Sequence, residues 1–295
     1  MINRGKGPWP SGNSEIAVKN WFISRVEDGL EESEREPVAN LCLDVVTQMS
    51  KGFRITSDYL FPESVLDRLA IIADEICEGR PVQYILGSVH FMGLDLDVKE
   101  GVLIPRPETE QLVNALINTL DSEFDGQILD IGTGSGCIAL SLKKNLRRAK
   151  LNAIDVCGDA LAIAIDNAQK LNLDIAFSKC DILSDLPIST YDVVVSNPPY
   201  ISPNELSSLE KRVRDFEPSK ALFVEKHPLE FYKRITEICL GNTLKTGGVL
   251  AFECHKGYAL DVKELIANSE GFEKVELIVD LQGVNRHVIA INKLN

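Results

Sequence analysis

The sequence predicts an α/β protein built around a seven-stranded, mostly parallel sheet with one antiparallel strand, preceded by a small helical bundle. Three observations predict it. Before residue 80 the apolar residues keep helical spacing. After Pro107 short apolar runs alternate with helical stretches, the order of a parallel sheet with helices on both faces. The last two runs are separated only by Asp280–Arg286, too short for a crossover helix, so they should pair as a hairpin.

The elements follow in order. Residues 1–15 are rich in Gly, Pro and Ser and read as a flexible tail. Residues 16–87 form the helical bundle. Val38, Leu41, Cys42, Val45, Val46 and Met49 make one apolar stripe, and Val65, Leu66, Leu69, Ile72, Ala73 and Ile76 make another. Pro62 introduces the second stripe, and Gly79 and Pro81 stop it. Residues 88–104 shorten into alternating segments around Gly93 and Gly101, the pattern of a β-hairpin linker. Residues 105–295 carry the α/β part. A helix stripe over Leu112–Leu120 leads into strand-like runs at 127–131, 151–154, 175–178, 191–196, 249–253, 275–279 and 287–291.

Composition narrows the function. With 31 basic against 44 acidic residues the net charge is −13, a poor balance for holding nucleic acid through its phosphates. No apolar run approaches the roughly 18 residues of a membrane helix, and the first residues lack a signal-peptide core. The 7 cysteines are scattered without a Cys-x-x-Cys pair, and the 4 histidines form no ligand-spaced set. We therefore expect reduced thiols, no metal, a cytoplasmic location (an organellar matrix stays open) and a monomer.

The sharpest local feature is Leu129-Asp130-Ile131-Gly132-Thr133-Gly134-Ser135-Gly136-Cys137, three glycines at spacing two between a strand and a helix. Such a loop brings backbone close to a ligand at the carboxyl end of a strand. The spacing differs from the dinucleotide fingerprint, and no Lys-Ser/Thr follows, which excludes a P-loop. A tight turn without a ligand is the plainer alternative. Asp130 before the loop would repel a phosphate and attract a cation. Asp155 ends the next strand, where a carboxylate can accept from ribose hydroxyls. Asp181 and Ile182 follow the third strand, where one could accept from an adenine amino group and the other pack on its ring. Each acid alone reads as a solvated loop residue. Three at the ends of successive strands, behind a glycine loop, point to one ligand: adenosine carrying an amino acid, S-adenosylmethionine.

The fourth strand runs into Asn197-Pro198-Pro199-Tyr200. Prolines have no N–H and stiffen the loop, leaving carbonyls without local partners. The Asn197 side-chain oxygen and the Pro198 carbonyl can accept the two N–H donors of a planar NH₂ group, and Tyr200 can wall its face. The plainer alternative is a proline-terminated strand.

These two motifs together resemble class I S-adenosylmethionine-dependent methyltransferases that alkylate a planar NH₂ nitrogen. Gly79-Arg80-Pro81-Val82-Gln83-Tyr84-Ile85-Leu86-Gly87, Leu103-Ile104-Pro105-Arg106-Pro107-Glu108-Thr109-Glu110 and Val213-Arg214-Asp215-Phe216-Glu217-Pro218 narrow the resemblance to the HemK/PrmC family, the protein-(glutamine-N5) methyltransferases of peptide chain release factors. The similarity runs from about residue 36 to 291, with its motifs in order. The chain departs from the family pattern at Phe223–Pro228 and at Cys254–Gly257.

The resemblance implies methylation of the glutamine of a Gly-Gly-Gln tripeptide in release factors, with the N-terminal bundle recognising that protein. It makes Asn197, Pro198 and Tyr200 catalytic. It assigns Asp130, Gly132, Thr133, Gly134, Ser135, Gly136, Asp155, Asp181, Ile182 and Asn197 to the cofactor. Asn197, Pro198, Pro199, Tyr200, Arg106 and Glu110 would form the substrate site. For Arg106 and Glu110 the alternative is a surface ion pair one helical turn apart. An N6-adenine methyltransferase on DNA or RNA is the rival enzyme, since adenine presents the same NH₂ group but must leave its stack to react. A non-catalytic S-adenosylmethionine-binding module is the third reading.

Overall fold

A computed structural model of the chain describes residues 5–293. It divides into two compact units: residues to Gly87 together with Glu210–Phe216, and Ser88–Leu209 together with Glu217 onward.

The first unit holds α1 (Glu15–Arg25), α2 (Glu32–Thr47), α3 (Lys51–Thr56), α4 (Glu63–Cys77) and α5 (Val82–Leu86). A capping box between Glu31 and Glu34 starts α2, and Pro62 is the N-cap of α4, as its position before the stripe predicts. On α2 the buried face is Ala39, Cys42 and Leu43, whereas Leu41 is 41% exposed. The apolar spacing there fits two neighbouring faces, and packing selects the one that meets Phe22 and Leu69 in the core. Arg54 is fully buried, with Glu15 at 2.9 Å and Asp44 at 2.6 Å satisfying its charge. Residues 1–4 of the expected tail lie outside the described residues. The rest precede α1 without helix, with Trp21 Nε1 donating to the Pro8 carbonyl (2.7 Å) and the Phe61 N–H to the Asn13 carbonyl (2.9 Å).

The second unit begins with the antiparallel hairpin β1 (Ser88–Phe91) and β2 (Leu94–Asp97). The hairpin ends at Asp97, earlier than the expected 104, and Phe91, Leu94 and Leu96 sit in the core of the α/β unit. Thereafter come α6 (Pro107–Thr119), β3 (Gln127–Ile131), α7 (Cys137–Asn145), β4 (Lys150–Asp155), α8 (Gly158–Lys170), β5 (Ala176–Lys179) and β6 (Tyr191–Ser196). The chain continues through α9 (Lys211–Phe216, in the first unit), α10 (Ser219–Leu222), α11 (Glu230–Ile238), β7 (Leu244–Glu253), α12 (Ala259–Ala267), β8 (Phe272–Val279) and β9 (Asn285–Asn292).

The seven strands of the main sheet order as β5-β4-β3-β6-β7-β9-β8. Five pair in parallel, and β9 alone runs antiparallel to both neighbours, the arrangement the short Asp280–Arg286 connection predicts. Alternating residues feed two cores. Val194, Leu250, Phe252 and Val288 face one side, while Val193, Val195, Ala251 and Ile289 face the other with Leu112 and Leu116 of α6. The chain leaves β3 toward β4 and β5, then returns to place β6 on its other side. That reversal opens a crevice at the carboxyl ends of β3 and β6, where α/β sheets bind ligands. Among the described residues no helix is long and apolar enough to cross a membrane, and no group of His, Cys, Asp and Glu could hold a metal ion.

Candidate active site

Register brings the two sequence motifs side by side. Ile131 pairs with Ser196, so the glycine loop after β3 and Asn197–Tyr200 after β6 leave the sheet from adjacent strands. Ser196 Oγ donates to the Ile131 carbonyl at 2.7 Å and ties the two exits together.

The glycine loop is held against β4. The N–H groups of Gly132 and Thr133 both donate to the Ile154 carbonyl (2.9 and 3.0 Å), and Asp155 Oδ2 accepts from the Gly134 N–H at 2.9 Å. Gly132 and Gly134 have φ of +74° and +56°, and a Cβ on either would meet nothing within 4 Å. Both therefore border open space in a left-handed conformation, the cradle a ligand would fill. Gly136 differs. Its Cβ would stand 3.0 Å from Leu140 and 3.2 Å from Ala164, so the missing side chain lets α7 and α8 pack closely there.

Asp130 sits beneath the loop. It is fully buried, and its Oδ2 accepts from Thr133 Oγ1 (2.7 Å) and from the Ala139 N–H (3.2 Å), bracing the loop onto α7. Burial pushes its carboxyl up to about 7, against the pull of those two hydrogen bonds, and Asp155 adds to the rise. Its Oδ1 has no partner. Thr133 and Ser135 are buried too, so the loop offers ligands its backbone more than these side chains. Ile182 is buried in the sheet core, and Asp181 Oδ1 accepts from the Leu183 N–H at 3.0 Å within its own turn. Asp155 completes its own turn by accepting from the Cys157 N–H at 2.9 Å.

The Asn197–Tyr200 loop is rigid by construction. After it, Ile201 donates its N–H to the Leu222 carbonyl (2.9 Å) and accepts from the Val224 N–H (3.0 Å), so the divergent stretch from Phe223 anchors the loop. Pro198 is buried, and among the described residues no donor reaches its carbonyl. Asn197 Nδ2 donates to Thr109 Oγ1 of α6 at 3.4 Å. Tyr200 packs its ring 5.5 Å from that of His255, which lies 5.4 Å from Tyr258, so the second divergent stretch also borders the loop. Burial pushes the Tyr200 phenol well up and the His255 imidazole down, leaving both neutral at pH 7.

Arg106 and Glu110 do not pair with each other. Arg106, the N-cap of α6, forms an ion pair with buried Glu217, whose other oxygen accepts from the Ile104 N–H at 3.3 Å. Glu110 Oε1 accepts from the Met92 N–H at 2.6 Å and closes the hairpin turn. The i, i+4 spacing is present, but tertiary partners outbid it.

Two buried titratable groups carry no motif in the sequence. Glu253, 3% exposed at the end of β7, has its Oε2 unpartnered, and burial pushes its carboxyl up to about 7 against hydrogen bonds from Thr109 and Asn197. His287, opposite it on β9, meets the Glu108 carbonyl with Nε2 at 3.0 Å, while Nδ1 has no partner. The available signal was positional. Glu253 ends a parallel strand as Asp155 does, and Asp130 stands one residue short of the end of its own.

Comparison with known proteins identifies the family. The methyltransferase small domain family matches residues 108–213. The release factor glutamine methyltransferase of Bacteroides thetaiotaomicron is 38% identical over 85% of this chain and 90% of its own length. That of Flavobacterium psychrophilum is also 38% identical, over 94% of this chain and 99% of its own. Among solved structures, the hMettl16 catalytic domain in complex with a MAT2A 3'UTR hairpin superposes with a TM-score of 0.53 at 22% identity, over 78% of this chain and 81% of that one, a likeness of fold alone. By these relatives and by its methyltransferase sheet, the chain belongs to the release factor glutamine methyltransferase family.

Proposed function

We propose that the protein transfers a methyl group from S-adenosylmethionine to the side-chain amide nitrogen of the glutamine in the Gly-Gly-Gln motif of peptide chain release factors. The observation that carries this reading is that relatives named for release factor glutamine methylation align across both units, over 85% and 94% of the chain. A shared catalytic sheet alone would speak only for the methyl donor.

The residues present fit the cofactor. Gly132 and Gly134 border open space in left-handed backbone, and a ligand ammonium would supply the partner that buried Asp130 Oδ1 lacks. Asp155 keeps lone pairs beyond its two backbone bonds for ribose hydroxyls. When bound, S-adenosylmethionine supplies an electrophilic methyl group on a sulfonium.

The chain's own work is on the amide. An amide nitrogen is a weak nucleophile because its lone pair is delocalised, and breaking that conjugation costs up to about 18–20 kcal/mol, the peptide rotation barrier. Asn197 Oδ1 and the Pro198 carbonyl would accept the two N–H groups, orient the NH₂ and stabilise positive charge growing on nitrogen. Tyr200 would wall the planar group. The loop is stiff before substrate arrives, so little reorganisation opposes the reaction. The first unit, with α9, would read the protein around the glutamine, because one side chain offers too little surface to select it.

Incubating the protein and labelled S-adenosylmethionine with a release factor, with an RNA hairpin or with neither tests the reading. Mass spectrometry should find one added methyl on the Gly-Gly-Gln glutamine. Label in the RNA and none in the release factor would replace this function with adenine methylation.

A further inference from the structure

Asn197 can act only if its amide is the right way round. Oδ1 must face the substrate and Nδ2 the protein, and the two ends of an amide differ little in shape. Something in the protein must choose between them. On the α6 side of the sheet, Asn197 continues the row of Val193 and Val195, and Glu253 continues that of Val249 and Ala251. Ser196 pairs with Phe252, so Asn197 and Glu253 emerge from adjacent strands at the same level. Thr109 of α6 covers them: Asn197 Nδ2 donates to its Oγ1 at 3.4 Å. A hydroxyl that accepts one bond has its proton free for another, and the carboxylate of Glu253 is the acceptor beside it.

We infer that Glu253 is a positioning residue for methyl transfer: as an acceptor-only carboxylate it fixes the polarity of an Asn197–Thr109–Glu253 chain, so that Asn197 turns Nδ2 inward and presents Oδ1 to the substrate nitrogen. This rests on the proposed methylation of an amide. The logic is that of a donor count. Ionised Glu253 can only accept, so Thr109 and Asn197 Nδ2 both donate toward it, and Thr109, with its proton so used, accepts from Asn197 Nδ2. Protonated Glu253 can donate, the chain can reverse, and Asn197 Oδ1 is drawn inward away from the substrate. Oε2 is buried and has no partner among the described residues, which leaves the carboxyl ready to take up a proton, and a proton on the oxygen facing Thr109 reverses the chain.

The carboxyl is suited to this switch, since burial holds it near 7. Facing it are Glu108 and Thr109 of α6, Arg286 and His287 of β9, Tyr200 and Asn197 of the loop, and Cys137 at the start of α7. Tyr232 of α11 donates its hydroxyl to the Glu253 carbonyl at 3.1 Å and fixes the backbone. Glu108 opposes ionisation and Arg286 favours it. Burial pushes the His287 imidazole down and the Tyr200 phenol up.

The test is steady-state methylation of a release factor across pH 6–9 by the full chain and by Glu253→Gln. The wild type should gain kcat through pH 7. Glu253→Gln, whose amide can either accept through its oxygen or donate through its NH₂, should lose roughly 10–100-fold in kcat, the scale of a misoriented reacting group. Its KM for S-adenosylmethionine should stay within twofold and its pH step should vanish. A Glu253→Gln variant with wild-type kcat and an unchanged pH step overturns the inference. If that variant fails to fold, Thr109→Val and Thr109→Ser decide: Val should lose kcat and Ser keep it, and a fully active Val variant overturns the chain. Failure of the methylation reading looks different, because then the wild type itself transfers nothing to the release factor.

Discussion

Arg106 and Glu217 form an ion pair between the N-cap of α6 and a carboxylate whose side chain is 1% exposed. Glu217 also accepts the Ile104 N–H, so one buried acid fixes both the helix start and the strand of chain leading to it. Removing Arg106 leaves that carboxylate without its cation in a site that water reaches poorly.

Arg106→Ala should therefore lower stability by about 1–3 kcal/mol, the cost of stranding a buried acceptor, and should reduce methylation along with it. The double variant Arg106→Ala/Glu217→Gln should recover much of the melting temperature. If the melting temperature of Arg106→Ala is unchanged while turnover collapses, Arg106 acts on the substrate and its pairing with Glu217 is incidental.

Cofactor affinity should depend on Gly134 and Asp155. Gly134 sits at φ +56°, so Gly134→Val combines backbone strain with a branched side chain projected into the open space of the loop. Asp155→Ala removes a proposed ribose acceptor and the acceptor of the Gly134 N–H, roughly 1.5–3 kcal/mol for a hydrogen-bonded charge. Calorimetric titration with S-adenosylmethionine should show weaker binding in both, and unchanged affinity in both would remove the ligand from this loop.

How much of this was legible in the sequence follows from how local each cause is. The glycine loop, the proline-stiffened Asn197 loop and the antiparallel β9 are written in short stretches, because turn chemistry and connection length act over a few residues. The roles of Asp130 and Glu217 are not local. The sequence places Asp130 before the loop, but that it is fully buried and braces the loop through Thr133 shows only once β3 is seen in the centre of the sheet. Arg106 reads as a substrate-site residue or a partner for Glu110, and its partner Glu217, 111 residues away, appears only on folding. The membership of Glu210–Phe216 in the first unit has the same origin: Arg212 of α9 meets Glu34 of α2 at 2.7 Å, a pairing invisible to spacing.

Asp130 predicts a pH dependence. Its carboxyl sits near 7 in the folded protein against an ordinary 3.8, and Glu253 near 7 against 4.5. A folded-state value above the unfolded one means the folded protein holds the proton more tightly. The stabilisation is complete below about pH 4 and is lost as pH rises through 7. The melting temperature should fall across that window, and Asp130→Asn should flatten part of the slope. S-adenosylmethionine should also flatten it, if its ammonium meets Asp130 Oδ1. An identical slope in the wild type and Asp130→Asn would show that Asp130 keeps its charge when buried.

A chain beginning at Ser88 should bind S-adenosylmethionine with near-normal affinity, because the glycine loop, Asp155 and Asn197 all belong to the second unit. It should methylate release factor poorly. It retains α9 without the Glu34 partner of Arg212, so a companion variant, Arg212→Ala in the full chain, separates loss of that ion pair from loss of recognition. Full activity of the shortened chain on intact release factor would place substrate selection elsewhere.

Asn197 gives the sharpest prediction. Asn197→Ala deletes the oxygen proposed to accept one amide N–H, and turnover should fall about 10²–10³, the scale of one preorganised hydrogen-bonding group. Stability should change little, since Asn197 is half-buried and its bond to Thr109 is long, 3.4 Å. Cofactor affinity should fall far less than turnover, because Gly132, Gly134 and Asp155 carry the proposed binding. Asn197→Asp keeps size and acceptor oxygens but has no N–H for Thr109, and its charge would stabilise a bound sulfonium more than a transition state in which that cation is being neutralised. It should also be slow. Single-turnover methyl transfer at saturating cofactor reads the chemical step apart from binding. A near-wild-type rate for Asn197→Ala would sink the mechanism and leave Asn197-Pro198-Pro199-Tyr200 as a rigid end to β6 and nothing more.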